Sequence, residues 1–302
     1  MSYLPVSSES RRLVKSDLVV SPISWGMWRF TDTVETAPRA RVEAALGAGV
    51  TLFDTADIYG AGPSGGFGGA EALLGEVFAE APHLRDKMVL ASKGGIRVGV
   101  PYDSSASYLT TAIDDSLRRL RTDVIDLWQI HRPDILTHPA EISRALETAH
   151  AAGKVRAIGV SNHTTGQVAA LQANLTLPVI SHQIEFSPLA LEPIADGTLD
   201  QAMASDMAIM AWSPLGGGRI GNPRDARTSA VALLLDAIAQ AYGVSRAAAA
   251  YSWILAHPAR PIVIVGTQTP ARIAEIPDSY KPRWTRQQWY EVLQASMEMR
   301  LP

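Results

Sequence analysis

Eight short apolar segments recur along the chain, each followed by a turn and then by residues at helical spacing. They are Leu18 to Val20 with Ile23, Thr51 to Phe53, Met88 to Ala91, Val124 to Ile130, Val155 to Val160, Val179 to Ile180, Ala208 to Ala211 and Ile262 to Val265. Continuous apolar runs belong to strands that are covered on both faces. Helices between such strands return the chain so that the strands run parallel. Eight such units in 302 residues predict an α/β protein, a closed (β/α)8 TIM barrel. No break in composition separates the units, so one domain is expected over 1–302. Arg11 to Asp17 predicts a short polar hairpin or lead-in ahead of the barrel. Thr285 to Met297 predicts a helix beyond the eighth unit.

The helix signals agree with this order. Pro38 suits a first helical turn, and Gly49 suits the end of that helix. Leu109, Ile113, Ser116, Leu117 and Leu120 fall on one face of a helix. Further helices are expected at Ala70 to Phe78, Ala140 to Ala152, Thr165 to Ala173, Ser229 to Tyr242 and Ser245 to His257.

Composition narrows the chemistry. A hydrophobic share of 47% is enough for a sizeable core, and a net charge of −3 gives no attraction for nucleic acid or an anionic membrane. The chain has no cysteine, which excludes disulfides, thiolate metal sites and a cysteine nucleophile. The first residues lack an apolar core of signal-peptide length. The most apolar helical run, Ala230 to Ala241, is interrupted by Asp236 and is too short to span a bilayer. A cytoplasmic location is expected.

Four consecutive strands end in polar or ionisable groups: Asp54, Lys93, His131 and the pair Ser161-Asn162. Tyr59 follows Asp54 by five residues and is braked by Gly60. In a barrel of this kind the C-terminal strand ends share one face, where catalytic groups lie. A phenol is a poor acid at neutral pH, and a nearby ammonium lowers its pKa. Lys93 can supply that charge. A buried lysine keeps its proton when a carboxylate holds it, and Asp54 fits. His131 can hydrogen-bond a substrate oxygen. The four together suit protonation of a carbonyl oxygen as hydride arrives from a cofactor, since no side chain donates hydride. No compact metal-ligand spacing joins Asp54, Asp57, His131 and His163. The run Gly60 to Gly69 lacks the Rossmann spacing and reads as a flexible loop over the barrel mouth.

These residues resemble the aldo-keto reductase family. The resemblance rests on FDTADIYG, ASKGG, SLRRLRTDVIDLWQIHRPD, GVSNH, HQIEFSPL, AWSPLGGG and VGTQTPARIAE, in that order, from Gly26 to about Glu275. It implies a catalytic tetrad of Asp54, Tyr59, Lys93 and His131, and a nicotinamide cofactor, NADPH more than NADH. It implies that Ser161, Asn162 and Gln183 anchor the nicotinamide carboxamide and that Trp212 lies under the ring. Gly26 and Met27 are further cofactor positions. Ser213, Leu215 and Gly217 fall in the pyrophosphate loop, where Arg219 adds charge. Thr267 and Arg272 match positions that hold the adenosine 2′-phosphate, and Gly266 and Gln268 beside them are further cofactor positions. Two departures stand out: Gly266 replaces a common lysine, and Ile276 replaces a common asparagine after Glu275. Trp25 and Trp28 are expected in an aromatic substrate pocket.

The expected activity is NADPH-dependent reduction of aldehydes or ketones to alcohols, with Tyr59 as general acid. The short stretch after the last helix suggests an open pocket and modest discrimination. The alternatives are a cofactor-binding regulatory subunit of the same fold, and an aldolase or isomerase using Lys93 as a Schiff-base amine. The sequence does not specify an oligomeric state.

Overall fold

Strands β1 (Ile23–Gly26), β2 (Leu52–Asp54), β3 (Val89–Gly94), β4 (Ile125–Ile130), β5 (Val155–Ser161), β6 (Val179–Glu185), β7 (Ala208–Trp212) and β8 (Ile262–Val265) close into one barrel. Every neighbouring pair is parallel, and β8 pairs with β1 to complete the ring. The structure is a computed structural model that describes residues 2–60 and 66–302. The centre of the glycine-rich stretch, 61–65, lies outside the described residues. No single helix among the described residues is long and apolar enough to cross a membrane.

The first expected strand is two elements. Val19–Val20 pairs antiparallel with Arg11–Arg12, so the hairpin runs past the expected Arg11 to Asp17 and takes in residues read as the start of the first barrel strand, and β1 begins at Ile23. Pro22 separates them, because it has no N–H to give to a ladder. Leu13, Leu18 and Val20 of the hairpin pack against Leu52, Ala91, Leu127 and Met210 inside the barrel. The hairpin thereby closes the barrel end opposite the strand C-termini.

Caps fix the helix ends more sharply than apolar spacing does. The helix expected from Ser229 starts at Ala226, because the Asp225 side chain accepts a hydrogen bond from the Thr228 N–H at 2.7 Å. Ser245 and Thr285 are caps of the helices that follow them rather than first helical residues. Several elements were not anticipated, among them a small hairpin of Ile96–Arg97 and Val100–Tyr102, short helices at Glu192–Ala195 and Pro270–Ala274, and a helix at Thr198–Ser205. That helix buries only Thr198, Leu199 and Ala202, too narrow a stripe for an apolar period to stand out.

Candidate active site

Alternation along the strands builds the floor of the site. Side chains two residues apart on a strand point to the same face. Leu52, Ala91, Leu127 and Ala157 belong to the apolar layer inside the barrel. Two residues further on come Asp54, Lys93, Gln129 and Gly159, paired in register around the ring as Asp54 with Ala91, Lys93 with Gln129, and Gln129 with Gly159. One step toward the C-termini therefore changes an apolar layer into a polar one. Gly159 makes that layer fit, since a Cβ there would stand 2.1 Å from the Ser181 Oγ and 3.0 Å from the Gln129 Cγ.

Lys93 is fully buried and its Nζ donates to Asp54 Oδ2 and to the Thr55 carbonyl, both at 2.7 Å. The second Asp54 oxygen accepts from Gln183 Nε2 at 2.9 Å and from Gln129 Nε2 at 3.4 Å. The loop after β2 turns under the Asp57 N–H bond to the Lys93 carbonyl and brings Tyr59 back over the barrel. Lys93 Nζ lies 4.8 Å from the Tyr59 ring centre. The His131 and Trp28 rings meet that of Tyr59 edge-on, at 5.8 and 5.2 Å between centres. His131 is fixed by its own N–H, which donates to the Gly94 carbonyl at 2.8 Å. The four expected residues thus stand together at the C-terminal mouth.

Electrostatics corrects one expectation. Lys93 does draw the Tyr59 pKa down, but burial raises it more and Asp54 adds to the rise, so the phenol lies above its ordinary value. It is a protonated, hydrogen-donating group at neutral pH. Burial works to lower the Lys93 pKa, yet the Asp54 carboxylate, through its charge and its hydrogen bond, outweighs it and the ammonium is held above its usual value. Burial, then the positive charges of Lys93 and Arg132, push His131 well below the usual histidine value, so the imidazole is neutral.

A cavity of about 1300 Å³ opens beside this cluster. It runs from Trp28, Tyr59 and His131, past Trp212 and Gly217, to Thr267 and Arg272. Asn162, at a left-handed φ of 57°, is already committed. Its amide donates to Ser161 Oγ and to the His131 carbonyl, and its oxygen accepts from Trp212 Nε1 at 3.0 Å. Ser161 in turn donates to the Gln183 carbonyl at 3.0 Å. Gly216, Gly217 and Gly218 all have positive φ, and the last two open onto empty space, so backbone is bared to the cavity there. Arg272 is exposed on the cavity wall. An amide-lined end, a bare glycine turn and an arginine fit a nicotinamide, a pyrophosphate and a phosphate in that order.

Several expected contacts fall elsewhere. Trp25 is not in the substrate pocket. It is fully buried, packs edge-on against Phe30 and Phe53, and donates from Nε1 to the Thr267 carbonyl at 2.8 Å. Met27 is also fully buried and offers the cavity no side chain; its N–H donates to the Asp54 carbonyl. Arg219 turns back on its own loop, donating from Nε to the Gly216 carbonyl at 2.8 Å. Trp28 does line the cavity and is 63% exposed. Residues that sequence reasoning missed are Gln129, which holds Asp54, and Arg132, which lines the cavity 5.9 Å from the Trp212 ring centre. The signal for Gln129 was a polar side chain near the end of the strand Ile-Asp-Leu-Trp-Gln-Ile, two residues before His131. Arg132 directly follows His131.

The model of the aldo/keto reductase family matches residues 22–296. The chain belongs to the aldo/keto reductase family. It is 56% identical to a 6-dehydroglucose reductase of Novosphingobium aromaticivorans, over the full length of both chains. It is 37% identical to a 6-dehydroglucose reductase of Agrobacterium fabrum, over 93% of this chain and 96% of that one. Among solved structures it is similar to a glycerol dehydrogenase from Gluconobacter oxydans, with a TM-score of 0.84, 25% identity and 98% of each chain covered. This aldo/keto reductase is therefore an oxidoreductase that uses a nicotinamide cofactor and acts on small carbonyl compounds.

Proposed function

We propose that this aldo/keto reductase uses NADPH to reduce the aldehyde of a sugar, with Tyr59 as the general acid. The observation that carries the reading is the buried Lys93–Asp54 pair set 4.8 Å beneath the Tyr59 ring, beside a neutral His131 and at the cavity wall. A bound nicotinamide supplies the hydride. Tyr59 gives its phenolic proton to the carbonyl oxygen as charge develops there. Lys93 stabilises the phenolate that remains, and Asp54 keeps Lys93 charged. His131, neutral, orients the carbonyl oxygen through a ring N–H. Gln183 and Gln129 fix the Asp54 carboxylate so that the ammonium keeps its place.

The names of two relatives and the chemistry of the rim support this substrate class. Two relatives carry the name 6-dehydroglucose reductase, a sugar with a carbonyl at carbon 6. Trp28 offers an apolar face to sugar C–H groups, and Arg132 offers donors to hydroxyls. The direct test follows NADPH absorbance with 6-dehydroglucose and with unbranched alkyl aldehydes. The sugar should be preferred by at least about tenfold in kcat/KM, the scale that a few hydrogen-bonded hydroxyls give. Equal efficiency across the panel would overturn the sugar preference and point to broad specificity instead. No reduction of any aldehyde would remove the activity altogether.

Cofactor choice rests on Arg272. It lines the cavity among Thr267, Gln268 and Glu275, and a guanidinium grips a phosphate with two parallel hydrogen bonds. Arg272→Ala should weaken NADPH binding by about 1.5–3 kcal/mol, the scale of a charged hydrogen bond. NADH, which lacks the 2′-phosphate, should bind nearly as before. Equal losses for both cofactors in a fluorescence titration would show that Arg272 does not read that phosphate.

A further inference from the structure

We propose that Arg41 is a positioning residue that favours the phosphorylated cofactor, by fixing Gln268 and by setting an uncompensated positive charge behind the phosphate end of the cleft. This rests on the NADPH reading above and adds a residue that does not touch the cavity.

Arg41 lies in the first turn of the helix Pro38–Gly47 and is fully buried. Its Nη2 donates to the Thr31 carbonyl at 2.7 Å, and its Nη1 to Gln268 Oε1 at 3.3 Å. The guanidinium carbon stands 4.6 Å from the Phe30 ring centre, and Nε has no partner among the described residues. No carboxylate pairs with it among the described residues. Its neighbour Arg39, more exposed on the same helix, pairs with Glu43 of that helix and with Glu80 at the end of the helix Gly69–Glu80. A buried charge without a counter-ion is costly, so such an arrangement calls for a compensating anion or a gain in function.

Its two bonds show where that gain lies. Thr31 belongs to the loop after β1, which goes on to line the cavity at Val34, Glu35 and Thr36. Gln268 belongs to the loop after β8 and lines the cavity between Thr267 and Thr269. Gln268 Nε2 also donates to the Gly26 carbonyl at 3.2 Å, and Trp25 Nε1 holds the Thr267 carbonyl. Arg41 thus ties together two loops that wall the same cleft, and it does so at the end where Arg272 stands. A charge buried in protein acts over a longer reach than one in water. NADPH carries one phosphate more than NADH and gains more from that charge.

The experiment is a fluorescence titration of purified protein with NADPH and with NADH, for the wild type, Arg41→Met, Arg41→Lys and Gln268→Leu. Arg41→Met should raise the NADPH Kd by about tenfold and the NADH Kd by less than about threefold, because the lost charge acts on the extra phosphate. Arg41→Lys, which keeps the charge, should return the NADPH Kd to within about threefold of wild type. Should Arg41→Met fail to fold, Arg41→Lys and Gln268→Leu carry the test. Gln268→Leu cuts the link and should cost NADPH about fivefold while NADH changes by less than about twofold. Equal loss of both cofactors in any variant that folds would reduce Arg41 to a purely structural role and overturn the proposal. A wild-type preference for NADPH that survives unchanged in Arg41→Met overturns it alone. A wild type with no preference for NADPH sinks the cofactor reading, and this inference with it.

Discussion

Replacing Tyr59 with phenylalanine is expected to lower kcat for carbonyl reduction by about a hundredfold to ten-thousandfold, the usual worth of a general acid. The change removes one oxygen and leaves the ring. Its edge-on contacts with Trp28 and His131 are made by the ring and persist. The groups expected around the nicotinamide, Ser161, Asn162, Gln183 and Trp212, hold one another and not Tyr59. The NADPH Kd should therefore change by less than about threefold, under about 1 kcal/mol. The wild-type enzyme adds a pH signature. The acid acts in its protonated form, and burial places its pKa above the ordinary value of 10. As far as Tyr59 governs it, kcat should stay level from neutral to mildly alkaline pH and fall as pH rises through that raised value. Steady-state rates and fluorescence titration on one preparation decide the matter. Near-normal turnover in Tyr59→Phe would remove it as the acid and leave His131 as the group to rebuild around.

The parts of the site that the sequence revealed are those lying where strands stop. Asp54, Lys93 and His131 each end an apolar run, and in a parallel barrel every such end faces the same mouth. The eight-unit alternation gave the barrel for the same reason: continuous apolar strands have few other uses. What stayed hidden depends on which face of a strand a residue takes. Trp25 lies between Ser24 and Gly26, and the pleat sends it outward against Phe30 and Phe53 while Gly26 borders the cavity. A tryptophan at a strand end looked like a pocket wall and is a brace for the Thr267 carbonyl. Gln129 was hidden in the opposite way. Its strand reads as one apolar run although it carries Asp126 and Gln129, and the register with Lys93 turns Gln129 onto Asp54.

Long-range partners were hidden for a further reason. Arg41 and Gln268 are 227 positions apart, and nothing local to either residue signals the bond between them. The same holds for Asp54 and Gln183, 129 positions apart. Roles of this kind come from closure of the barrel, which brings the first and last strands side by side. The sign of the Tyr59 shift was also out of reach. An ammonium nearby argues for a lower pKa, and only the depth of burial shows that desolvation wins.

Replacing Lys93 with methionine is expected to cost both activity and stability, and the two losses can be separated. Lys93 and Asp54 are both buried, and the ion pair between them measures 2.7 Å. Removing one member of such a pair leaves the other charge uncompensated, at a cost of about 3–5 kcal/mol. Gln183 and Gln129 still hold one Asp54 oxygen, but the other loses its only side-chain partner among the described residues. Denaturant unfolding of Lys93→Met should show a loss in that range. The double variant Asp54→Leu, Lys93→Met removes both charges. It should recover most of the lost stability, because replacing both partners with apolar groups is often close to neutral. Activity should follow a different course. Both variants lack the ammonium that stabilises the Tyr59 phenolate, so both should fall by at least about a hundredfold in kcat. A stable double variant that stays inactive is the expected result. A Lys93→Met protein as stable as wild type would mean that the pair is not buried as the structure has it. A stable double variant with restored turnover would mean that Tyr59 gives up its proton without help from Lys93.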